Sequence, residues 1–75
     1  MQAYILIGLQ DCDEQAVLDH LLDNEEVLEA HILFGEWDLV VKIKAESSED
    51  VAAFVMEKVR KHEDVKLTST LIVAK

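Results

Sequence analysis

Apolar and polar positions recur along this chain with two different periods. Ala3–Leu9 (AYILIGL) is a run of β-forming apolar residues, ended by Asp11-Cys12-Asp13. Val17, Leu18, Leu21 and Leu22 then fall on one helical face, with Asp19 and His20 off it. Two starts serve this helix equally: Asp11, with Glu14 at capping-box spacing, or Asp13 as N-cap. Asp23-Asn24 marks its stop. Val27–Phe34 (VLEAHILF) predicts a second strand, Gly35–Trp37 a turn, and Asp38–Ala45 (DLVVKIKA) a third strand. Ser47-Ser48-Glu49-Asp50 opens a second helix striped by Val51, Phe54, Val55 and Val59. Lys58, Arg60, Lys61 and His62 lie in its last turns, where the helix dipole favours cations. Val65–Val73 predicts the last strand.

The order β-α-β-β-α-β, with no proline to interrupt it, predicts an α+β fold of ferredoxin-like type: an antiparallel four-stranded sheet with two helices on one face. Period two assigns Ile5, Ile7, Leu28, Ala30, Ile32, Phe34, Leu39, Val41 and Ile43 to the helix-covered face. The other face receives Tyr4, Leu6, Val27, Glu29, His31, Leu33, Val40, Lys42 and Lys44. A register of Leu33 opposite Val40, His31 opposite Lys42 and Glu29 opposite Lys44 keeps each set on its own face. No helix is left to cover this second, mixed face. Its expected partner is a second copy, giving a dimeric α+β barrel with Tyr4, Leu6, His31, Leu33 and Val40 in the interface. An antiparallel sheet with one solvated face is the alternative.

Length and charge narrow the picture. Seventy-five residues make one domain, expected to span 1–75, and a chain so short buries only about 60% of its unfolded surface. Cys12 is the only cysteine, which offers no disulfide and no metal site and suits a reducing compartment. Sixteen acids against seven Lys and Arg give a net charge of −9, which disfavours nucleic-acid phosphates and anionic membranes alike. With no basic leader and no long apolar run, the expected location is cytoplasmic.

The candidate chemistry sits in "FGEWD" (Phe34–Asp38), which holds the only Trp. A free amino acid needs carboxylate acceptors for its ammonium, N–H or hydroxyl donors for its carboxylate, and a shaped wall for its side chain. Glu36 and Asp38 supply acceptors, Gly35 close backbone approach, Trp37 a wall, and Thr68, Ser69 and Thr70 hydroxyls. An ordinary hairpin turn, with Trp37 as an interface anchor, fits the same residues. His20, His31 and His62 show no metal-ligand spacing, and neither a phosphate loop nor a Ser-His-Asp set is present, so no metal and no cofactor is expected.

"AYILIGL", "EVLEAHILFGEWDLVVKIKAES" and "LTSTLIVAK" together resemble the effector-binding (RAM) domain of the Lrp/AsnC regulators over nearly the whole chain. The most specific part is a strand, then Gly-acid-aromatic-Asp, then an aliphatic strand. The resemblance implies dimers joined through their sheets and assembled into closed rings of about four or five dimers. It implies amino-acid effectors bound between dimers, by Gly35, Glu36, Trp37 and Asp38 with Thr68, Ser69 and Thr70. Full-length members carry a DNA-binding helix-turn-helix. Met1 stands almost at the first strand here, so a stand-alone module without a DNA-binding domain is expected, with full-length regulators as partners. Trp37 stands where the family often has a smaller aromatic, and Phe34 where Thr is frequent. The function expected is an oligomeric, non-enzymatic amino-acid sensor in transcription regulation. Two alternatives stand beside it: a dimeric α+β barrel enzyme using the pocket between the sheets, and an oligomerisation scaffold without ligand.

The charge balance gives a first test. The isolated chain should not retard duplex DNA even at low salt, where phosphate attraction is strongest. A salt-sensitive gel shift by the pure protein would contradict it.

Overall fold

The computed structural model describes residues 1–11 and 13–75; Cys12, and what was expected of it, lies outside the described residues. The elements are β1 (Gln2–Leu9), α1 (Glu14–Leu22), β2 (Val27–Ile32), β3 (Leu39–Lys44), α2 (Ser48–Phe54) and β4 (Val65–Ile72). The four strands form one antiparallel sheet in the order β2-β3-β1-β4. This is the ferredoxin-like α+β fold predicted above.

The two central strands supply the sheet's share of the core. Ala3, Ile5 and Ile7 of β1 and Leu39, Val41 and Ile43 of β3 are all fully buried. Val17, Leu18 and Leu21 of α1, with Val51, Phe54, Val55 and Val59 of the second helix, close over them. Each such aliphatic side chain contributes about 1.5–3 kcal/mol on burial. The edge strands β2 and β4 contribute no fully buried side chain.

Local chemistry sets the helix ends. Asp13 is the N-cap of α1, its side chain accepting from the Ala16 N–H at 3.3 Å, so the Asp11 alternative is not used. Ser47 caps α2 in the same way through the Asp50 N–H at 3.2 Å. Beyond Phe54 the helix widens into a π-helical turn over Val55–Val59, closed by the Arg60 N–H on the Val55 carbonyl at 2.8 Å. In a continued α-helix Lys58 would come round near the middle of the apolar stripe. The wider turn holds Val59 inward and leaves Lys58 exposed.

The β2–β3 hairpin corrects several expectations. Its register is His31 opposite Val40 and Glu29 opposite Lys42, with Leu33 beyond the strand, two residues from the pairing predicted. A bulge between Val27 and Glu29 absorbs Leu28. It turns Val27 toward the core, opposite Ile43, and leaves Leu28 exposed, the reverse of the prediction. Ile32 and Leu22 are also exposed, because α1 is too short to reach over the outer rim of the edge strand. Phe34, expected inside, is entirely exposed on the loop. The expected cross-strand ion pair is absent among the described residues: Glu29 lies 3.9 Å from His31, and Lys42 stands over the Tyr4 ring at 5.7 Å.

No helix covers the second face. Tyr4, Leu6 and Val40 are half-buried there and His31 is exposed; Leu33, expected on this face, lies beyond the end of β2. By the pairing with β1, Leu67, Ser69 and Leu71 of β4 share that face, and both leucines are exposed.

Candidate functional site

Asp38 organises the end of the sheet where the "FGEWD" loop lies. Its Oδ2 accepts the Leu9 N–H at 2.7 Å, at the point where a bulge between Gly8 and Leu9 shifts β1 out of its ladder with β4. Its own N–H donates to the Ile7 carbonyl at 3.0 Å, and its carbonyl accepts the Leu33 N–H at 2.8 Å. One residue thus ties the end of β1 to both sides of the hairpin. Glu36, by contrast, is exposed and makes no side-chain hydrogen bond or ion pair among the described residues.

Two hollows meet at Asp38. One, of about 590 Å³, is lined by Ile32, Leu33, Phe34 and Gly35 together with the carboxylates of Glu14 and Asp38. The other, of about 260 Å³, lies between Leu9, Gln10, Asp11, Glu14 and Asp38. Glu14 is the residue that sequence reasoning missed. It is the first residue of α1, and the β1–α1 junction reaches the same end of the sheet as the hairpin loop. Its capping-box spacing assigned its carboxylate to the helix start rather than to a ligand. Gly35 has no positive φ, and a Cβ there would meet nothing within 4 Å, so the fold itself does not require a glycine at this position.

Trp37 lies apart from these hollows. Its ring edge comes to 3.9 Å from where a Cβ on Gly8 would stand, beside the Leu67 Cβ at 3.5 Å. It therefore roofs Gly8 on the uncovered face of the sheet. The hydroxyl run separates by the pleat. Thr68 and Thr70, opposite Ile7 and Ile5, face the helix side, whereas Ser69, opposite Leu6, faces the uncovered side. The two threonines line a hollow of about 290 Å³ between β4 and the second helix, with Ser48, Met56, Arg60 and Ile72 around them. Arg60 is the cation that sequence reasoning assigned only to a helix terminus; the π-helical turn precedes it. The carboxylates of Asp38 and Glu14 thus gather at the end of the central strands, beside the hairpin loop, and the threonine hydroxyls and Arg60 lie along the β4 edge. Two strand spacings separate Asp38, at the head of β3, from Thr68 on β4, about 10 Å. Each set lines its own hollow.

Among the described residues no group of three or more His, Cys, Asp or Glu side chains is placed to hold a metal ion. Among the described residues no helix is long and apolar enough to cross a membrane.

The molecule is a ferredoxin-like module with one uncovered sheet face and a carboxylate-lined hollow beside its hairpin loop. The chain belongs to the Lrp/AsnC family: the family model "Lrp/AsnC ligand binding domain" matches residues 2–75. The HTH-type transcriptional regulator FL11 of Pyrococcus abyssi is 33% identical over 75 residues, covering 100% of this chain and 49% of the relative. An uncharacterized HTH-type transcriptional regulator of Pyrococcus furiosus, PF0250, is 34% identical over 59 residues, 79% of this chain and 39% of the relative. The chain thus spans about half or less of these curated relatives. Among solved structures, FFRP-DM1 superposes with a TM-score of 0.89 at 38% identity, covering 96% of both chains. The hypothetical protein PHS023 of Pyrococcus horikoshii gives 0.90 at 36%, covering 99% of this chain and 89% of that one.

The hydrogen bonds of Asp38 generate a stability prediction. Asp38→Ala strands the part-buried Leu9 N–H and should cost about 1–3 kcal/mol. Asp38→Asn keeps an acceptor and should cost less, and Glu36→Gln should leave stability unchanged. Urea denaturation of the three variants checks the order; equal stability of Asp38→Ala and the parent chain would contradict it.

Proposed function

We propose that this domain is a regulatory module that binds an amino acid at a site divided between copies of the chain. The observation that carries the reading is the hollow under the β2–β3 loop. It offers Glu14 and Asp38 to an ammonium and Ile32, Leu33 and Phe34 to an apolar side chain, and it contains no cation for a carboxylate. The open space at Gly35 leaves its backbone accessible to a ligand. The missing donors, Arg60, Thr68, Thr70 and Ser48, line the hollow on the opposite edge. A second copy docking its β4 edge against the first copy's β2 edge completes the site. Contacts between unlike edges repeat head to tail, and such a repeat closes into a ring when the rotation between copies divides a full turn.

The uncovered sheet face supports the other contact in this assembly. Leu67 and Leu71 are exposed beside the half-buried Tyr4, Leu6 and Val40, a mixed face suited to a like sheet in a dimer. Trp37 and Ser69 belong to this face, so their part in ligand binding is through assembly. Glu36, at the exposed tip of the loop, faces the neighbouring copy rather than the ligand's ammonium. In this reading the domain acts without DNA contacts of its own, and the full-length regulators it resembles supply them.

A thermal-shift screen of the common amino acids is the test, since a ligand that binds only the native state raises its apparent stability. At least one should raise the midpoint in a concentration-dependent way. Loss of one charge-assisted hydrogen bond, about 1.5–3 kcal/mol, should make Glu14→Gln bind roughly tenfold or more weakly with its fold intact. No shift by any amino acid at millimolar concentration would overturn the reading.

A further inference from the structure

The second helix changes pitch just before Arg60. Over Val55–Val59 it is π-helical, and the Arg60 N–H reaches back to the Val55 carbonyl at 2.8 Å. Single wide turns of this kind recur at functional sites and hold one residue more than a regular turn. The extra residue changes the direction in which Arg60 leaves the helix. At about 100° per residue, the helical residues that line the hollow against β4 (Ser48, Val51, Ala52, Val55 and Met56) fill an arc of about 140°, centred about 70° from Val51. A regular α-helix would set Arg60 about 180° from Val51, outside that arc. The wide turn holds it back by one residue's rotation, to about 80°, in the middle of the arc. Arg60 accordingly lines this hollow with Thr68 and Thr70, and shares a smaller neighbouring one with Thr68. Among the described residues no carboxylate lines either hollow, although the chain carries sixteen acids.

The order of two residues forces the turn. Val59 is fully buried and Lys58 is exposed. Regular α-helical geometry would put position 58 about 20° from Val51, facing the core, and position 59 at about 80°, at its margin. An unpaired ammonium in an apolar core is costly, so the helix widens and Val59 takes the inward place. We propose that Lys58 is a positioning residue: because its ammonium resists burial, it imposes the wide turn that sets Arg60 in the hollow, where Arg60 holds the carboxylate of the bound amino acid. The carboxylate-holding role rests on the divided amino-acid site proposed above; the direction of Arg60 does not.

The test exchanges the two residues. The double variant Lys58→Val, Val59→Lys keeps composition and charge and lets a regular α-helix bury position 58. A second variant, deletion of the exposed Glu57, removes the extra residue itself, so that a regular helix leaves Arg60 on the side it occupies in the parent chain. Nuclear Overhauser contacts between the Arg60 side chain and the Thr68 methyl report the geometry without any ligand. They should be present in the parent and the deletion variant and absent in the exchange variant, with circular dichroism showing all three folded. Thermal shift by an equimolar mixture of the common amino acids reports binding. The exchange variant should need about tenfold more of the mixture, as Arg60→Gln should, and the deletion variant should respond as the parent does. A parent chain that does not respond overturns the amino-acid reading alone, and the contacts still decide the role of Lys58. Contacts retained in the exchange variant would overturn that role. So would their loss in the deletion variant, whether or not the exchange variant folds.

Discussion

The pairing of β1 with β3 is the constraint on which everything else in this molecule depends. It sets Ala3, Ile5 and Ile7 beside Leu39, Val41 and Ile43, every one fully buried. A chain of 75 residues has helix enough to cover these two strands and little more. The edge strands are therefore left half-covered, and both hollows of the proposed amino-acid site lie along them. Asp38 links this core to the loop. Because its backbone and side chain hold the end of β1, the loop's position is set by the central strands rather than by its own sequence.

Much of the fold was legible in the sequence because the core elements keep their period. The alternation of Ile5 and Ile7 and of Leu39, Val41 and Ile43, and the stripe of Val51, Phe54, Val55 and Val59, identify buried faces without ambiguity. Failure begins at β2, where a bulge at Leu28 breaks the count of two. Pattern reasoning then exchanged Val27 with Leu28 and placed Phe34 inside. A bulge leaves no local mark where Val27 and Leu28, the two residues it exchanges, are both apolar. Leu22 misled for a related reason: its helical position is right, but no strand lies beyond β2 for it to cover.

The site was legible in part. "FGEWD" identifies the loop, and Thr68 and Thr70 identify the hydroxyls, but their distribution over separate hollows follows from strand order, which spacing alone does not give. Glu14 becomes a site residue only once the β1–α1 junction and the hairpin loop meet at one end of the sheet. Arg60 becomes one only after the π-helical turn that precedes it. The division has a thermodynamic consequence for the proposed function. A ligand held by two copies must stabilise their contact by the same free energy that the contact adds to ligand binding. Effector concentration and assembly state are then linked, and regulation needs no change of fold.

Subunit mixing tests the divided site most directly. Glu14→Gln disables the carboxylate half and Arg60→Gln the donor half, and each variant alone should bind the effector weakly. Unfolded together and refolded, the two chains form assemblies in which some junctions pair an intact Glu14 with an intact Arg60. The account predicts that calorimetry of the mixture recovers tight sites that neither parent variant has. A mixture that binds no better than the average of the two variants would contradict it.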